Sequence, residues 1–319
     1  MIPVKETSPL VTVAIPAYKQ VFFEESIQSV LAQSYPNFEL IIIDDASPFH
    51  LENIVNKFDD IRIKYYRNEV NLGRTDLVSN WNKCISIAKG ELFCLFSDDD
   101  KYHSDFLREM VDLSMVFPDS DVFHCRVIKI DGDGKPIDIT PLCPQRESTL
   151  EFIWHTMKGY RNLYAPEFMC RTTALRNIGG FFNLPLAWGS DYVTWFLLSK
   201  GGGKVYCEKP LCFWRISDIN ISAVGNVPQR IEAINRYQKW LTIFLDQYAA
   251  ISPTESLIKK QCKANIGPFF NSKRTLLLQI QIEKDGVIRS FFKFLKYTKI
   301  FQMKAPKVVY YILRRIINA

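Results

Sequence analysis

The chain has 319 residues, of which 47% are hydrophobic, so it is long enough to bury a full core and is not a disordered protein. Its net charge of +6 is too small to indicate nucleic-acid binding, and its 8 cysteines include no CxxC pair, which favours reduced core residues. Neither a signal-peptide pattern nor a run of roughly 18 apolar residues is present, so we expect a cytoplasmic protein with at most peripheral membrane contact.

The N-terminal third alternates between short apolar runs and amphipathic segments. The runs predict strands, and the segments with apolar residues at helical spacing predict helices. In chain order, the predicted elements are a strand at 10–16, a helix at 23–31, a strand at 39–43, a helix at 51–58, a strand at 61–66, a helix at 76–88 and a strand at 93–96. This alternation predicts an α/β fold with a mostly parallel sheet flanked by helices.

Polar residues follow three predicted strands at the point where each strand ends. Pro16-Ala17-Tyr18 follows the first strand, Asp44-Asp45 the second and Asp98-Asp99-Asp100 the fourth. The carboxyl ends of parallel strands meet at one edge of a sheet, where such sheets bind ligands. Three adjacent carboxylates suit a hard cation such as Mg²⁺ or Mn²⁺, and the alternative is an acidic turn that caps the next helix. The convergence of three polar clusters favours the ligand site.

The second half of the chain is less regular. Residues 131–134 predict a hairpin turn, 204–206 a short strand and 211–215 a separate apolar segment. The segment Trp188-Gly189-Ser190-Asp191 opens an apolar helix, so Asp191 lies in its first turn. The helix dipole stabilises a carboxylate at that position, which suits both a helix cap and a general base.

The C-terminal segment, residues 287–319, interleaves basic residues with aromatic and aliphatic ones. No acidic residue follows Asp285. This composition has two interpretations: an interfacial helix on an anionic membrane surface, or a helical pair that packs on the preceding domain.

Taken together, these segments resemble the inverting nucleotide-sugar glycosyltransferases of family 2, which have the GT-A fold. The matching segments are Val13–Tyr18, Ser29–Tyr35, Phe38–Ser47, Gly90-Glu91 leading to Asp98–Asp100, and Trp188–Asp191 with its helix. The resemblance runs from about residue 10 to about residue 220. It implies a GT-A, Rossmann-like nucleotide-sugar-binding sheet, which is mostly parallel and flanked by helices, with a C-terminal helical extension.

The resemblance also implies a domain organisation. A catalytic domain would span residues 1–225, with a nucleotide-binding half at about 1–130 and an acceptor half at about 131–225. The resemblance does not extend to the last hundred residues, whose composition predicts a helical, basic and amphipathic region at 226–319.

The resemblance implies roles for residues of the nucleotide-binding half. Asp45 would receive a uracil-type base, because a carboxylate accepts a hydrogen bond from a ring N–H. The wall of that pocket would be formed by Pro16, Ala17 and Tyr18. Asp98 would lie nearest the ribose of the nucleotide.

The same resemblance implies the metal ligands and the base. Asp99 or Asp100 would bind Mn²⁺ or Mg²⁺, which bridges the diphosphate and stabilises it as a leaving group. Asp191 would remove the proton of the acceptor hydroxyl during a single displacement that inverts the anomeric carbon. Arg74, and Arg215 on a later loop, are candidates for phosphate contacts by charge and placement alone, and each is equally consistent with an ordinary surface arginine.

Two departures from the family pattern affect these roles. The family often has an acid two places before the metal aspartate, where this chain has Ser97, so the division of roles within Asp98–Asp100 stays open. The family also commonly has Glu before the catalytic Asp, where this chain has Ser190. Asp191 keeps its place and therefore its implied role.

The function implied is transfer of a sugar from a UDP-sugar to a hydroxyl of a glycan acceptor in capsule, O-antigen or exopolysaccharide biosynthesis. The basic tail and the habits of similar bacterial enzymes suggest a lipid-linked acceptor and contact with anionic lipid at the cytoplasmic face of the inner membrane. We expect no nucleic-acid partner. The alternatives are a non-catalytic nucleotide-sugar-binding or assembly module, and a nucleotidyltransferase, whose Gly- and Lys-rich loop is missing after the first strand.

Overall fold

The computed structural model describes residues 8–216 and 227–317, except for the side chains of residues 316 and 317. The chain divides into two compact units. The larger unit comprises Met1–Asn183 and Ser190–Asn220, and the smaller unit comprises Leu184–Gly189 and Ile221–Ala319. All strands of the described residues belong to the larger unit.

The larger unit is built on one ten-stranded sheet. The strands are β1 (Val11–Ala17), β2 (Phe38–Asp44), β3 (Ile63–Arg67), β4 (Leu92–Leu95), β5 (Lys101–Tyr102), β6 (Val122–Ile130), β7 (Pro136–Ile139), β8 (Arg146–Glu147), β9 (Phe168–Arg171) and β10 (Lys204–Arg215). Their order is β3-β2-β1-β4-β9-β6-β10-β5, with β7 beside β6 and β8 beside β10. Parallel pairing joins β3, β2, β1 and β4 in turn and β6 to β10, whereas the antiparallel pairings are short. The predicted mostly parallel sheet is confirmed.

Helices connect these strands. The α-helices described in the larger unit are α1 (Phe23–Leu31), α2 (Leu51–Val55), α3 (Gly73–Ile87), α4 (Phe106–Val116), α5 (Thr149–Met157), α6 (Thr172–Asn177) and α7 (Ser190–Leu198). A short 3-10 helix, Ala165–Glu167, precedes β9. Ser148 begins α5 with a capping box, because its side chain accepts from the Glu151 backbone N–H while the Glu151 carboxylate accepts from the Ser148 N–H.

Strands β1 and β2 set the position of the predicted site. Val11–Ile15 and all of β2 are buried, which is typical of parallel strands with helices on both faces. The register pairs Ala17 with Asp44, and Ala14 with Leu95. The carboxyl ends of β1, β2 and β4 therefore lie side by side, at the edge where the sequence predicts a ligand site.

Strand β10 differs from the prediction. Two separate segments at 204–206 and 211–215 were expected from the sequence, but a single strand runs through both, so that prediction is wrong. The pairing of β10 with β6 shifts register between Cys207 and Cys212. Pro210 lies in this interval and has no N–H for the ladder, which explains the irregularity. Arg215 is consequently the last residue of a strand, and its expected position on a loop is also wrong.

The described part of the smaller unit is helical. Its α-helices are α8 (Val227–Gln247), α9 (Pro253–Asp285), α10 (Val287–Phe292), α11 (Phe294–Ile300) and α12 (Ala305–Ile317). Helices α8 and α9 pack together, and Arg274 of α9 donates hydrogen bonds of 2.7 Å to the side-chain oxygens of Asn235 and Gln238 in α8. At the end of α9, Asp285 accepts from Lys293 Nζ at 3.1 Å and from the Tyr297 hydroxyl.

The C-terminal helices α10–α12 have both a packed side and an exposed side. Val308 and Ile312 of α12 are buried, whereas Ile288 and Phe292 of α10 are 76% and 84% exposed. Within the parts of the chain that the structure describes, no helix is both long enough and apolar enough to cross a membrane. The packed side of α12 faces helices of the same unit, since α12 contacts α9, α10 and α11.

A substitution at Gly90, just before β4, tests the close approach of β1 and β4. A Cβ at Gly90 would collide with the backbone N of Thr12 and lie 2.8 Å from the carbonyl oxygens of Leu10 and Leu92. We expect Gly90→Ala to lower the free energy of unfolding by about 2 kcal/mol or more, measured by urea denaturation. The control is Gly132→Ala in the same unit, where a Cβ meets nothing within 4 Å. Equal stability of the two variants would contradict this packing.

Candidate functional site

Hydrogen bonds join the three polar clusters at the strand ends. Asp98 Oδ2, after β4, accepts from the backbone N–H groups of Tyr18 and Lys19 at 2.8 and 2.7 Å. The Tyr18 carbonyl accepts from the Ser47 hydroxyl at 2.7 Å, and the Ser47 N–H donates to Asp44 Oδ1 at 2.7 Å. The loops after β1, β2 and β4 thus form one connected site.

The aspartate triplet, Asp98–Asp100, is almost fully buried. Lys19 Nζ lies 3.0 Å from Asp98 Oδ1 and also forms an ion pair with Asp99 Oδ2. Burial by itself would lower the pKa of Lys19, but the charges of Asp98 and Asp99 outweigh it and raise that pKa. Lys19 is therefore a charged ammonium that bridges two of the three carboxylates.

The other side of the triplet is held by the end of β10. Asp100 Oδ1 accepts from the Arg215 backbone N–H at 2.8 Å, and the Asp99 carbonyl accepts from Arg215 Nε at 2.8 Å. Burial, followed by the Asp99 charge, raises the pKa of Asp100 to about 8. Burial also raises the pKa of Asp99, although Lys19 opposes it. Burial and the charge of the neighbouring carboxylate thus both raise the pKa of Asp99 and of Asp100.

The donor set of the triplet fits a divalent cation. Its carboxylate oxygens are the hard ligands that Mg²⁺ and Mn²⁺ prefer, and Asp100 Oδ2 is buried without a hydrogen-bond partner of normal geometry among the described residues. In residues 8–216 and 227–317, no three His, Cys, Asp or Glu side chains form a ready metal cage. Mg²⁺ is commonly held by one or two carboxylates together with substrate phosphates, which requires no such cage.

Asp45, the predicted partner of the nucleotide base, is anchored to the start of α3. Its Oδ1 accepts from Asn68 Nδ2 at 2.6 Å and from the Leu72 N–H at 2.9 Å, and its Oδ2 accepts from the Gly73 N–H at 2.7 Å. A Cβ at Gly73 would lie only 2.9 Å from Asp45 Oδ2, so glycine permits this approach. In this structure Asp45 fixes the loop that leads into α3.

The two arginines proposed for phosphate contacts occupy different environments. Arg74 is exposed in the first turn of α3. Arg215 is 1% exposed, and besides holding the triplet its guanidinium donates to the carbonyls of Asp131 and Gly132 at 3.1 and 3.2 Å and pairs with Glu25. Arg215 is therefore buried among protein groups and fixes the positions of Asp99 and Asp100.

Asp191 lies in the first turn of α7, as predicted, and is half-buried. Its charge adds to burial in raising the pKa of Glu167, which ends the 3-10 helix before β9. Because β9 lies beside β4 in the sheet, this interaction places Asp191 near the start of the strand that neighbours β4, which the triplet follows.

Sequence reasoning missed Lys19 and Asn68 as parts of the site. Asn68 follows β3 directly and donates to Asp45, so the rule that located the other clusters would have found it. Lys19 follows Tyr18 at the end of β1, opposite three acids. Its place directly after Pro16-Ala17-Tyr18, at the end of β1, was the available signal in the sequence.

A second buried polar cluster lies elsewhere in the larger unit. Glu147 Oε2 accepts from Lys204 Nζ at 2.6 Å and from Arg161 Nε at 3.1 Å. Lys204 Nζ also lies 2.7 Å from His124 Nε2, and because an ammonium only donates, Nε2 is the acceptor and Nδ1 carries the proton. Burial by itself would raise the pKa of Glu147, but Arg161 and Lys204 outweigh it and lower the pKa to about 2.

The family model for Glycosyl transferase family 2 matches residues 12–177, more than half of the chain, and the chain belongs to this family. It is therefore a glycosyltransferase, and the resemblance inferred from the motifs is confirmed. Among its relatives, TuaG of Bacillus subtilis, named for a proposed role in teichuronic acid biosynthesis, is 28% identical over 221 residues, covering 67% of this chain and 82% of TuaG. An uncharacterized glycosyltransferase of Rickettsia typhi is 24% identical over 293 residues, covering 89% and 83%.

Solved structures confirm the GT-A fold. Staphylococcus aureus TarS in complex with UDP-GlcNAc matches with a TM-score of 0.66 at 17% identity, over 97% of this chain and 88% of that chain. A mannosyltransferase from Pyrobaculum calidifontis in complex with GDP-Man and Mn²⁺ matches with a TM-score of 0.55 at 14% identity, over 98% and 88%. At these identities the comparisons establish the fold alone.

The second cluster yields a prediction for acid stability. The pKa of Glu147 in the folded chain lies below its ordinary value, so its ion pairs stabilise the fold above about pH 4.5 and are lost as the pH falls toward 2. We expect Glu147→Gln to cost roughly 3 kcal/mol at pH 7 and to flatten the loss of stability between pH 5 and 2, measured by urea denaturation across pH. Asp138→Asn, which removes an exposed pair with Lys129, is the control and should change stability by under about 1 kcal/mol.

Proposed function

We propose that this glycosyltransferase moves a sugar from a UDP-sugar to a hydroxyl of a glycan acceptor, with inversion of the anomeric carbon, in the synthesis of a bacterial surface polysaccharide. The observation that carries the proposal is the bonded junction of Tyr18, Lys19 and Asp98, where the ends of β1 and β4 meet. The names of TuaG and of WcaA of Escherichia coli, which is 34% identical over 100 residues, support surface-polysaccharide synthesis. The UDP-GlcNAc complex of TarS supports a UDP-sugar as donor.

In this proposal residues 1–225 act as the catalytic domain, and the nucleotide is bound at the edge formed by β1 and β2. Asp45 accepts from the uracil ring, and its bonds to the Leu72 and Gly73 N–H groups keep the carboxylate in a fixed direction. Pro16, Ala17 and Tyr18 form the wall of the pocket.

The diphosphate of the donor is bound at the aspartate triplet. Asp99 and Asp100 hold Mn²⁺ or Mg²⁺, and Asp98 lies nearest the ribose. A divalent cation at this position supplies positive charge that stabilises the departing diphosphate. Arg74 is exposed and free to reach a phosphate by its length and position at the start of α3. Arg215 contributes by holding the backbone of Asp99 and the carboxylate of Asp100.

Asp191 is the general base in this proposal. Its place in the first turn of α7 fixes the direction of the carboxylate through the helix dipole. It accepts the proton of the acceptor hydroxyl as the oxygen attacks the anomeric carbon opposite to the diphosphate, and a single displacement of this kind inverts that carbon.

The acceptor is a lipid-linked glycan, and the chain works at the cytoplasmic face of the membrane. Support comes from the C-terminal surface, where the exposed apolar residues Ile288 and Phe292 lie among the basic residues Arg289 and Lys296. Apolar and basic residues together favour binding to an anionic bilayer.

If Asp191 is the general base, its substitution should impair sugar transfer and leave UDP binding intact. We expect Asp191→Asn to lower the rate of sugar transfer by at least about 10³-fold, because the acceptor proton has no receiver, while UDP affinity stays within about twofold of wild type. Transfer is measured with a panel of UDP-sugars and UDP binding by calorimetry. Asp99→Asn serves as the contrast and should weaken metal-dependent UDP binding. Full transfer by the Asp191 variant would refute the base assignment, and absence of transfer by wild type with every nucleotide sugar would favour a non-catalytic module.

If the C-terminal segment 287–319 contacts the membrane, the chain should bind anionic vesicles. We expect the double variant Ile288→Ser with Phe292→Ser to lose most of the flotation that wild type shows with phosphatidylglycerol vesicles, because both side chains are available for insertion. The matched control is Ile61→Ser with Ile251→Ser, which removes two apolar residues elsewhere in the chain that are at least as exposed. Flotation that is equal for the two double variants would exclude the tail as the membrane contact.

A further inference from the structure

Lys19 is placed at the triplet by both its backbone and its side chain. Its backbone N–H donates to Asp98 Oδ2 at 2.7 Å, which fixes the residue at the end of β1. From there its ammonium reaches Asp98 Oδ1 at 3.0 Å and pairs with Asp99 Oδ2. The Lys19 side chain is only 14% exposed, so solvent screens these ion pairs weakly.

Asp99 Oδ2, which pairs with Lys19, is one of the oxygen atoms that a divalent cation would need. An ammonium between Asp98 and Asp99 supplies one positive charge and N–H donors to both carboxylates. A divalent ion that approached the same oxygens would meet strong repulsion from that ammonium at a separation of a few ångströms. The Asp99 carboxylate therefore cannot bind the divalent ion while Lys19 keeps this position.

We infer that Lys19 is a built-in counter-ion of the triplet that competes with the divalent cation for Asp99, so that metal binds there only when the lysine side chain moves out. This inference rests on the proposed metal role of the triplet. Without nucleotide, the lysine stabilises the buried acids and keeps metal affinity low. When a donor diphosphate arrives, its negative charge offers the displaced ammonium another partner, so nucleotide and metal favour each other's binding.

The test measures Mn²⁺ affinity of the full chain without nucleotide, from the electron paramagnetic resonance signal of free Mn²⁺. We expect Lys19→Met to bind Mn²⁺ at least about tenfold tighter than wild type, because the competing charge is gone. Lys19→Arg keeps the charge and should bind as weakly as wild type. The matched control is Lys64→Met, which removes the lysine partner of the buried Glu39 elsewhere in the sheet and should leave Mn²⁺ affinity unchanged.

Thermal unfolding gives a second readout that does not depend on activity. In EDTA, Lys19→Met should unfold at a lower temperature than wild type, since Asp98 and Asp99 lose their counter-ion. Mn²⁺ should raise the unfolding temperature more in this variant than in wild type, because at a given concentration a ligand that binds the folded state more tightly stabilises it more.

Two results would overturn the inference, and they differ in whether they also refute the metal role of the triplet. If Lys19→Met binds Mn²⁺ no tighter than wild type while Asp99→Asn weakens binding, the triplet keeps its metal role and the competition by Lys19 is refuted. If neither substitution changes Mn²⁺ binding, the metal role of the triplet is refuted together with the inference.

Discussion

The carboxylate of Asp98 connects two strands that are distant in sequence, because it accepts the backbone N–H groups that follow β1. Parallel strands end at one edge, but their loops need a specific bond to stay together once the ladder stops. Asp98 supplies that bond to Tyr18 and Lys19, and Ser47 extends it to the loop after β2. The proposed nucleotide pocket, metal ligands and Lys19 all depend on this junction.

The features that could be predicted from the sequence are those with a local cause. Strand runs and helical spacing located the elements of the first half, and the rule on strand ends located Asp45 and the triplet. Asp191 could be placed in the first turn of α7 because the apolar helix begins beside it. In each case the signal lies within a few residues of the feature it predicts.

The features that escaped prediction depend on contacts between distant parts of the chain. Arg215 was expected on a loop, but it ends β10 and pairs with Glu25, 190 positions earlier. Lys19 meets Asp99 across 80 positions. Strand β10 continues past Pro210 because β6 pairs with it on both sides of the irregularity. Such contacts leave no periodic pattern in the sequence, because they form through tertiary packing.

Two of the buried charged clusters in the larger unit, around Glu147 and at the triplet, differ in how completely their polar atoms are paired. Around Glu147, both carboxylate oxygens are paired with Arg161 or Lys204, which is the arrangement of a structural ion pair. In the triplet, Lys19 forms ion pairs with both Asp98 and Asp99. Asp100 Oδ2 has no hydrogen-bond partner of normal geometry among the described residues. A buried carboxylate without full compensation costs stability. A divalent cation would compensate the ionised form of such a carboxyl group, whereas the Glu147 cluster needs no ligand, so the contrast favours the triplet as the functional one.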